Sequence, residues 1–349
     1  MDTKVWIVDK SVDNLVGNPQ IVDAAQILRD NEVVALPTET VYGLGGNAES
    51  DEAVAKIFAA KGRPGDNPLI IHIADRAQLD RFVLEVPPVA EALMNAFWPG
   101  PLTLIFKRKP GVLSEKATAG LDTVAVRMPD HPVAAALLRQ CALPIAAPSA
   151  NSSGKPSPTT AAHVLEDLNG KIAGIVDGGA TGVGVESTVV DCTEEPPVIL
   201  RPGGVTQEQL QAVIGQVNVD PALMKTEGEA RPKAPGMKYR HYAPNAPLYL
   251  VSGTREFLQS LVDEQRQKGL RVGVLTTEEF VDQYAADVVL ACGRRSELET
   301  IAAALYDTLR VFNQRKVEII YSEIFPYSGV GHAIMNRLEK AAGGKIITE

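Results

Sequence analysis

The chain holds only three cysteines, Cys141, Cys192 and Cys292, far apart and outside any C-x-x-C pattern. That excludes a disulfide framework and a zinc site, and it fits a reducing compartment. No apolar run approaches the roughly 18 residues of a membrane span. The opening Met1-Asp2-Thr3-Lys4-Val5-Trp6 lacks the apolar core of a signal peptide, so a cytoplasmic location and no membrane partner are expected. Positive charge is also short. A net charge of −9 excludes a protein that coats nucleic acid, and any phosphate-bearing substrate then needs a local cationic pocket. The G-x-x-x-x-G-K-[ST] loop of ordinary P-loop NTPases is missing. So is any Ser-His-Asp, Cys-His or paired-carboxylate arrangement, and no metal site built by the protein itself is expected.

What is present suits a soluble globular protein. Apolar residues make up 45% and charged residues 22% of 349 positions, a length that predicts two domains. The most informative stretch runs from Lys61 to His72. Before it, Asp51 to Lys61 places Ala53, Val54, Ile57 and Phe58 at the spacing of one helix face, with two acidic residues in the first turn. Lys61 then falls in the last turn and Gly62 at the position just past the helix. Alone, Lys61 and Arg63 read as a helix-terminal cation and a surface charge. Their setting, between a helix end, Pro64 and Pro68 and an apolar strand, is also where a fold places an anion site.

Other segments supply matching chemistry. The strand Val33 to Leu36 ends in a loop, Pro37 to Gly46, that carries Thr38, Thr40 and three glycines at the strand end where α/β sheets bind ligands. Gly43-x-Gly45-x-x-Ala48 superficially matches a dinucleotide fingerprint, but it sits beyond the strand and lacks the distant acidic residue. Arg127 lies inside the apolar strand Val124 to Met128. A guanidinium there must be paired, by an internal salt bridge or by a substrate carboxylate. The strand Leu143 to Pro148 delivers Ser149 through Thr160, dense in hydroxyls and amides that suit phosphate or ribose. A flexible glycine loop is expected from Asp177 to Gly184. Two strands, Glu186 to Asp191 and Val198 to Arg201, follow with antiparallel pairing, because their connection is too short for a crossover helix.

Composition then shifts. Asp220 to Pro247 has no helical or strand period and reads as a linker, although its aromatic and basic cluster Met237 to Pro244 suggests that it docks on something. Beyond it, strands near 248, 271, 287 and 318 alternate with helices, including one expected from Thr277, which predicts a parallel Rossmann-like sheet. That domain shows no glycine fingerprint, reads as regulatory or structural, and keeps His332 as a structural histidine.

Lys61, Arg63, Arg127 and Arg201 together with Thr38, Thr40, Ser149, Asn151 and Ser187 suit chemistry that needs positioning and charge stabilisation more than proton transfer, as in phosphoryl or nucleotidyl transfer. Pro37-Thr38-Glu39-Thr40-Val41-Tyr42-Gly43, Lys61-x-Arg63-Pro64, Ser149-Ala150-Asn151, Glu186-Ser187-Thr188 and Arg201-Pro202-Gly203 resemble the YrdC-type threonylcarbamoyl-AMP synthases. The segment Pro235 to Pro244 resembles the linker of their long, two-domain form.

The resemblance implies an α/β (α+β) fold class: a YrdC-like twisted mixed sheet with flanking helices over 1–217, a linker acting as a lid over 218–246, and a Rossmann-like domain over 247–349. It implies synthesis of threonylcarbamoyl-AMP and pyrophosphate from L-threonine, bicarbonate and ATP, with Mg²⁺ carried on the ATP. A tRNA threonylcarbamoyl transferase complex would then modify adenosine 37 of tRNA, and direct tRNA binding would be weak or absent. By the same resemblance Lys61 and Arg63 are catalytic. Both, with Asn67, Thr123, Ser149, Asn151, Ser157 and Arg201, would hold ATP. Thr38 or Thr40, His72, Arg127, Ala147 and Ser187 would hold threonine, and Tyr239, His241 and Tyr242 would belong to the lid. A double-stranded RNA-binding module and a carbamoyl-transfer enzyme are the competing readings.

Overall fold

The computed structural model describes residues 2–224 and 241–349. By its internal contacts the chain forms two units. The first comprises Met1–Ser153, Ser157–Gly182 and the described part of Glu186–Lys238. The second comprises Gly154–Pro156, Val183–Val185 and the described part of Tyr239–Glu349.

The first unit is built on an 11-stranded mixed sheet. In chain order its strands are β1 (Lys4–Ile7), β2 (Val34–Leu36), β3 (Gly43–Asn47), β4 (Ile70–His72), β5 (Leu102–Lys107), β6 (Thr123–Arg127), β7 (Ile145–Ala146), β8 (Gly174–Asp177), β9 (Thr188–Asp191), β10 (Val198–Arg201) and β11 (Asn218–Val219). In space they run β1-β8-β2-β3-β7-β4-β6-β5-β9-β10-β11. Period-two alternation divides the central strands into two faces. Ile71, Leu102, Leu104, Phe106, Val124, Val126, Val190 and Ile199 enter the main core. Ile70, Ile105, Ala125, Val189 and Leu200 form a smaller apolar patch on the other face. Alternation puts His72, Thr103, Thr123 and Arg127 on that second face as well.

Strand β10 reaches it by an irregularity. Its pairing with β9 runs Val198 to Asp191, Ile199 to Val190, and then Arg201 to Val189, leaving Leu200 as an extra residue. Such a bulge re-aims the residue after it. Without it Arg201 would share the face of Ile199; with it, Arg201 faces with Val189. The antiparallel pairing expected for these two strands is present.

Two sequence expectations change in this unit. The last four residues of the expected loop Pro37 to Gly46 belong to strand β3. Its glycines are there for close packing: a Cβ on Gly45 would sit 2.8 Å from Leu36 Cδ2, and one on Gly46 3.0 Å from Ile57 Cδ1. The Asp177 to Gly184 stretch is also tied down, since Tyr42 Oη donates to the Gly179 carbonyl (2.7 Å) and Gly182 N–H donates to the Glu39 carbonyl (3.1 Å). The first sheet extends through Val219, so Asn218 and Val219, at the head of the 218–246 segment, pair with β10.

The second unit is a parallel sheet of five strands, β12 (Leu248–Ser252), β13 (Val272–Thr276), β14 (Val288–Ala291), β15 (Ile319–Glu323) and β16 (Ile346–Thr348), in the order β14-β13-β15-β12-β16. Helices Arg255–Gln267, Leu298–Gln314 and Gly331–Ala342 connect them. The helix expected from Thr277 is only a short 3₁₀ turn, Val281–Gln283. Its approach is held by non-helical bonds: Glu278 N–H donates to the Gly293 carbonyl, and the Glu279 carboxylate accepts from the N–H groups of Arg295 and Ser296. Strand β16 has no counterpart in the sequence reading. His332 meets Tyr327 edge-on, 6.3 Å between ring centres.

Candidate active site

The end of a single helix sets the first cation. Helix α1 (Pro19–Arg29) covers one end of the sheet, and α2 (Asp51–Lys61) carries Lys61 as its last residue. Ser50 caps α2 by accepting from Ala53 N–H, and Ala53, Val54, Ile57 and Phe58 bury its inner face. Gly62, in the left-handed region at φ 65°, ends it. Arg63 N–H donates to Phe58 and Gly62 N–H to Ala59, each at 3.2 Å, the paired bonds of a Schellman terminus. The helix-end expectation for Lys61 and Gly62 therefore holds, but Lys61 is not a solvated end: it is 4% exposed.

The Lys61 ammonium donates to the carbonyls of Ser149 and Asn151, the latter at 2.9 Å, and lies 3.5 Å from Asn151 Oδ1. The reverse tie is Ser153 N–H to the Lys61 carbonyl, 2.9 Å. The Ser149-Ala150-Asn151 segment is thus the seat of the lysine. Burial, and next the Arg63 charge, push the ammonium down to about 7, while Asp167 and Glu186 pull it partly back. Arg63 is half-buried with its guanidinium 5.6 Å from the centre of the Phe58 ring.

Arg127 ends β6, with Cα partners His72 on β4 and Thr103 on β5. It is 4% exposed, and each of its nitrogens is engaged: Nε with the Gly100 carbonyl (3.2 Å), Nη1 with Thr40 Oγ1 (2.9 Å) and Nη2 with Glu39 Oε1. The internal salt bridge anticipated for a buried guanidinium exists, and its partner is Glu39. Thr38 Oγ1 donates to the Val41 carbonyl (2.6 Å) and sits 2.8 Å from Thr40 Oγ1. Thr38 therefore shapes the turn and Thr40 meets the arginine. His72 is buried, and that burial, followed by the Arg127 charge, drives its imidazole down to about 3, so it is neutral at physiological pH. Ala147 N–H donates to Ile70 (3.0 Å), holding β7's exit against β4.

A second guanidinium follows from the bulge. Arg201 Nε donates to the Ser187 carbonyl (3.0 Å) and Nη2 to Ser187 Oγ (3.1 Å), while Ser187 Oγ lies 2.8 Å from Thr103 Oγ1. Gly203 makes this possible, because a Cβ there would stand 2.3 Å from the Glu186 carbonyl oxygen. Ser157 Oγ donates to Glu186 Oε1 at 2.5 Å.

The structure thus joins Lys61 with Ser149 and Asn151, Thr38 and Thr40 with Arg127, and Ser187 with Arg201. Thr123 stands at the other end of β6 from Arg127, about 13 Å away along a strand at its usual rise; Asn67 lies in the loop that precedes β4. Asn67 is fully buried, and neither its Oδ1 nor its Nδ2 has a partner. His241 and Tyr242 belong to the second unit, where Tyr242 is buried and stacks on Tyr306 at 5.3 Å. Tyr239 lies outside the described residues. Among the described residues no three of His, Cys, Asp and Glu gather as metal ligands.

Sequence reasoning missed Glu39, Thr103 and Glu186. Glu39 and Glu186 sat inside quoted motifs, but acidic residues carry no signal for an anion site. Thr103 was readable as the one hydroxyl alternating with Leu102 and Leu104.

Buried cations and hydroxyls on one face of a YrdC-like mixed sheet, in a chain that continues into a parallel α/β unit, define a two-domain YrdC-type protein. The family pattern described as "Telomere recombination" matches residues 26–203, and "Threonylcarbamoyl-AMP synthase, C-terminal domain" matches 205–343. The chain is 60% identical to the threonylcarbamoyl-AMP synthase of Bacillus subtilis over 99% of its own length and 100% of the relative's. It is 50% identical to that of Pyrococcus abyssi over 93% and 94%. A crystal structure of P. abyssi Sua5 complexed with L-threonine is similar at a TM-score of 0.93, with 47% identity, over 99% of this chain and 100% of that one. The chain belongs to the threonylcarbamoyl-AMP synthase family, in its long, two-domain form.

Proposed function

We propose that the protein joins L-threonine, bicarbonate and ATP into threonylcarbamoyl-AMP, releasing pyrophosphate and water. The observation that carries this is the shared face of His72, Thr103, Arg127 and Arg201, with Lys61 held on the Ser149 and Asn151 carbonyls. Two guanidiniums and an ammonium supply charge, and hydroxyls supply orientation. Threonine's amine attacks bicarbonate-derived carbon to give a carbamate, whose oxygen then attacks the α-phosphorus of ATP as pyrophosphate leaves.

In this reading Lys61, Arg63 and Arg201 neutralise the phosphates, and Asn67, Thr123, Ser149, Asn151 and Ser157 hold the nucleotide. Arg127 takes the threonine carboxylate, with Thr38 or Thr40, His72, Ala147 and Ser187 around the rest of the amino acid. The orphaned Asn67 amide supports a nucleotide contact, because each unmade bond there costs about 1–3 kcal/mol until a ligand supplies it. Mg²⁺ suits phosphate oxygens and few protein ligands, so it belongs on the ATP, where it would offset phosphate charge. Tyr239, His241 and Tyr242 are assigned to a lid that keeps water from the labile carbamate, and residues 218–246 to the linker that bears it. The cytoplasm, a downstream tRNA threonylcarbamoyl transferase complex, and weak direct tRNA binding complete the reading.

Pyrophosphate release from ATP, with threonine and bicarbonate added or withheld, tests it. Release that requires both is expected; release indifferent to threonine would end the proposal.

A further inference from the structure

Glu39 has one satisfied and one unsatisfied oxygen. Oε1 is taken by Arg127 Nη2, while Oε2 is buried with no partner. Beside it His131 Nδ1 and Thr181 Oγ1 are likewise buried and unpartnered. The neighbourhood is set by Gly182 N–H, which donates to the Glu39 carbonyl, and by Gly178, whose added Cβ would touch His131 Cε1 at 3.1 Å. The Glu39 charge also acts on the His131 ring, whose titration burial lowers.

A buried carboxylate oxygen without a donor costs free energy, and an arginine alone leaves it unsatisfied. The proposed substrate is an α-amino acid, with an ammonium and a carboxylate on one carbon. A buried arginine with a partly buried glutamate is its charge complement: the guanidinium offers donors to the carboxylate, and the glutamate offers an acceptor to the ammonium. A zwitterion laid across the intact pair adds no net charge to the site, so both ions stay compensated.

We propose that Glu39 Oε2 receives the α-ammonium of the amino-acid substrate while Oε1 keeps Arg127 turned toward its carboxylate, making Glu39 a residue that selects α-amino acids. The inference rests on the proposed function for its substrate, and it adds a requirement for the amine at the binding stage. Carboxylates that carry a hydroxyl in place of the amine leave Oε2 without charge-assisted donors and are rejected.

The test is calorimetric titration of the full chain with L-threonine and with the 2,3-dihydroxybutanoate of matching configuration. Wild type is expected to prefer threonine at least about tenfold, as for a desolvated charge pair. In Glu39→Gln, which keeps an oxygen and a similar shape, the preference should fall to within about threefold through lost threonine affinity. An unchanged preference in the variant, or no preference in wild type, overturns the proposal. If Glu39→Gln does not fold, Glu39→Asp replaces it: a carboxylate drawn back by one methylene should lose threonine more than the hydroxy acid, and equal losses overturn the proposal. Threonine-dependent pyrophosphate release by wild type is measured in parallel. Its absence removes the function itself, whereas its presence beside an unchanged preference removes only the role of Glu39.

Discussion

A lysine sealed among carbonyls is pushed down to about 7, and this gives both the fold and the proposed nucleotide site a pH dependence that can be checked. Lys61 is lowered from 10.5 to about 7, so between those values the unfolded chain binds more protons than the folded one. The ligand-free protein should therefore gain stability as pH rises across that window. Phosphate favours the ammonium, so ATP binding near pH 8 should take up as much as one proton. Calorimetry in buffers of different ionisation enthalpy reads that uptake, and Lys61→Arg, whose charge is fixed, should abolish it. Lys61→Ala should lower kcat by about 10²–10³, the usual loss for one group stabilising developing charge. Asn67 makes the opposite trade. Asn67→Leu should raise ligand-free stability by about 1–3 kcal/mol in urea titration and weaken ATP binding, because it removes two buried unmet groups that a nucleotide would use.

Among the elements, turns carry more of the site than strands do. Gly203→Ala drives a Cβ into the backbone of 186–188 and should cost at least about 1–3 kcal/mol, with a raised KM for ATP as Arg201 loses Ser187. Denaturant midpoint and initial rates check the two effects separately. The sequence displayed the strand around Arg127, the α2 end and the alternation of the second unit, because apolar period and capping residues are local signals. It hid strand β3, whose glycines resemble loop chemistry and become packing only when Leu36 and Ile57 stand over them. The Thr277 segment misled for a related reason: its helical pattern lost to bonds with the Gly293 to Ser296 stretch, which are invisible in one dimension. Glu39 was in plain sight, yet its value depends on Arg127 lying 88 positions away in the chain.

For the whole molecule, acidity and a concentrated cationic site act together. A net charge of −9 repels polyanions generally, while Lys61, Arg127 and Arg201, all buried, are withheld from a long phosphate backbone. Filter binding of tRNA without ATP should show affinity no tighter than the non-specific range of about 10⁻⁴–10⁻⁶ M, with a shallow salt slope. Tight, salt-steep binding would instead favour an RNA-binding module.

Strand pleat behaves as a parity count, and Leu200 is the one residue of β10 that it skips. Removing Leu200 straightens the strand and leaves Arg201 directly after Ile199, opposite Val189 and on the side it already holds. The bulge residue can therefore be lost without turning the guanidinium away from Ser187, whereas Arg201→Ala removes the guanidinium itself. Threonine-dependent pyrophosphate release should accordingly survive the Leu200 deletion better than the Arg201→Ala substitution, which initial rates check. Elsewhere in the strand a one-residue insertion or deletion is read by the site as a change of side, a constraint that the bulge position alone escapes.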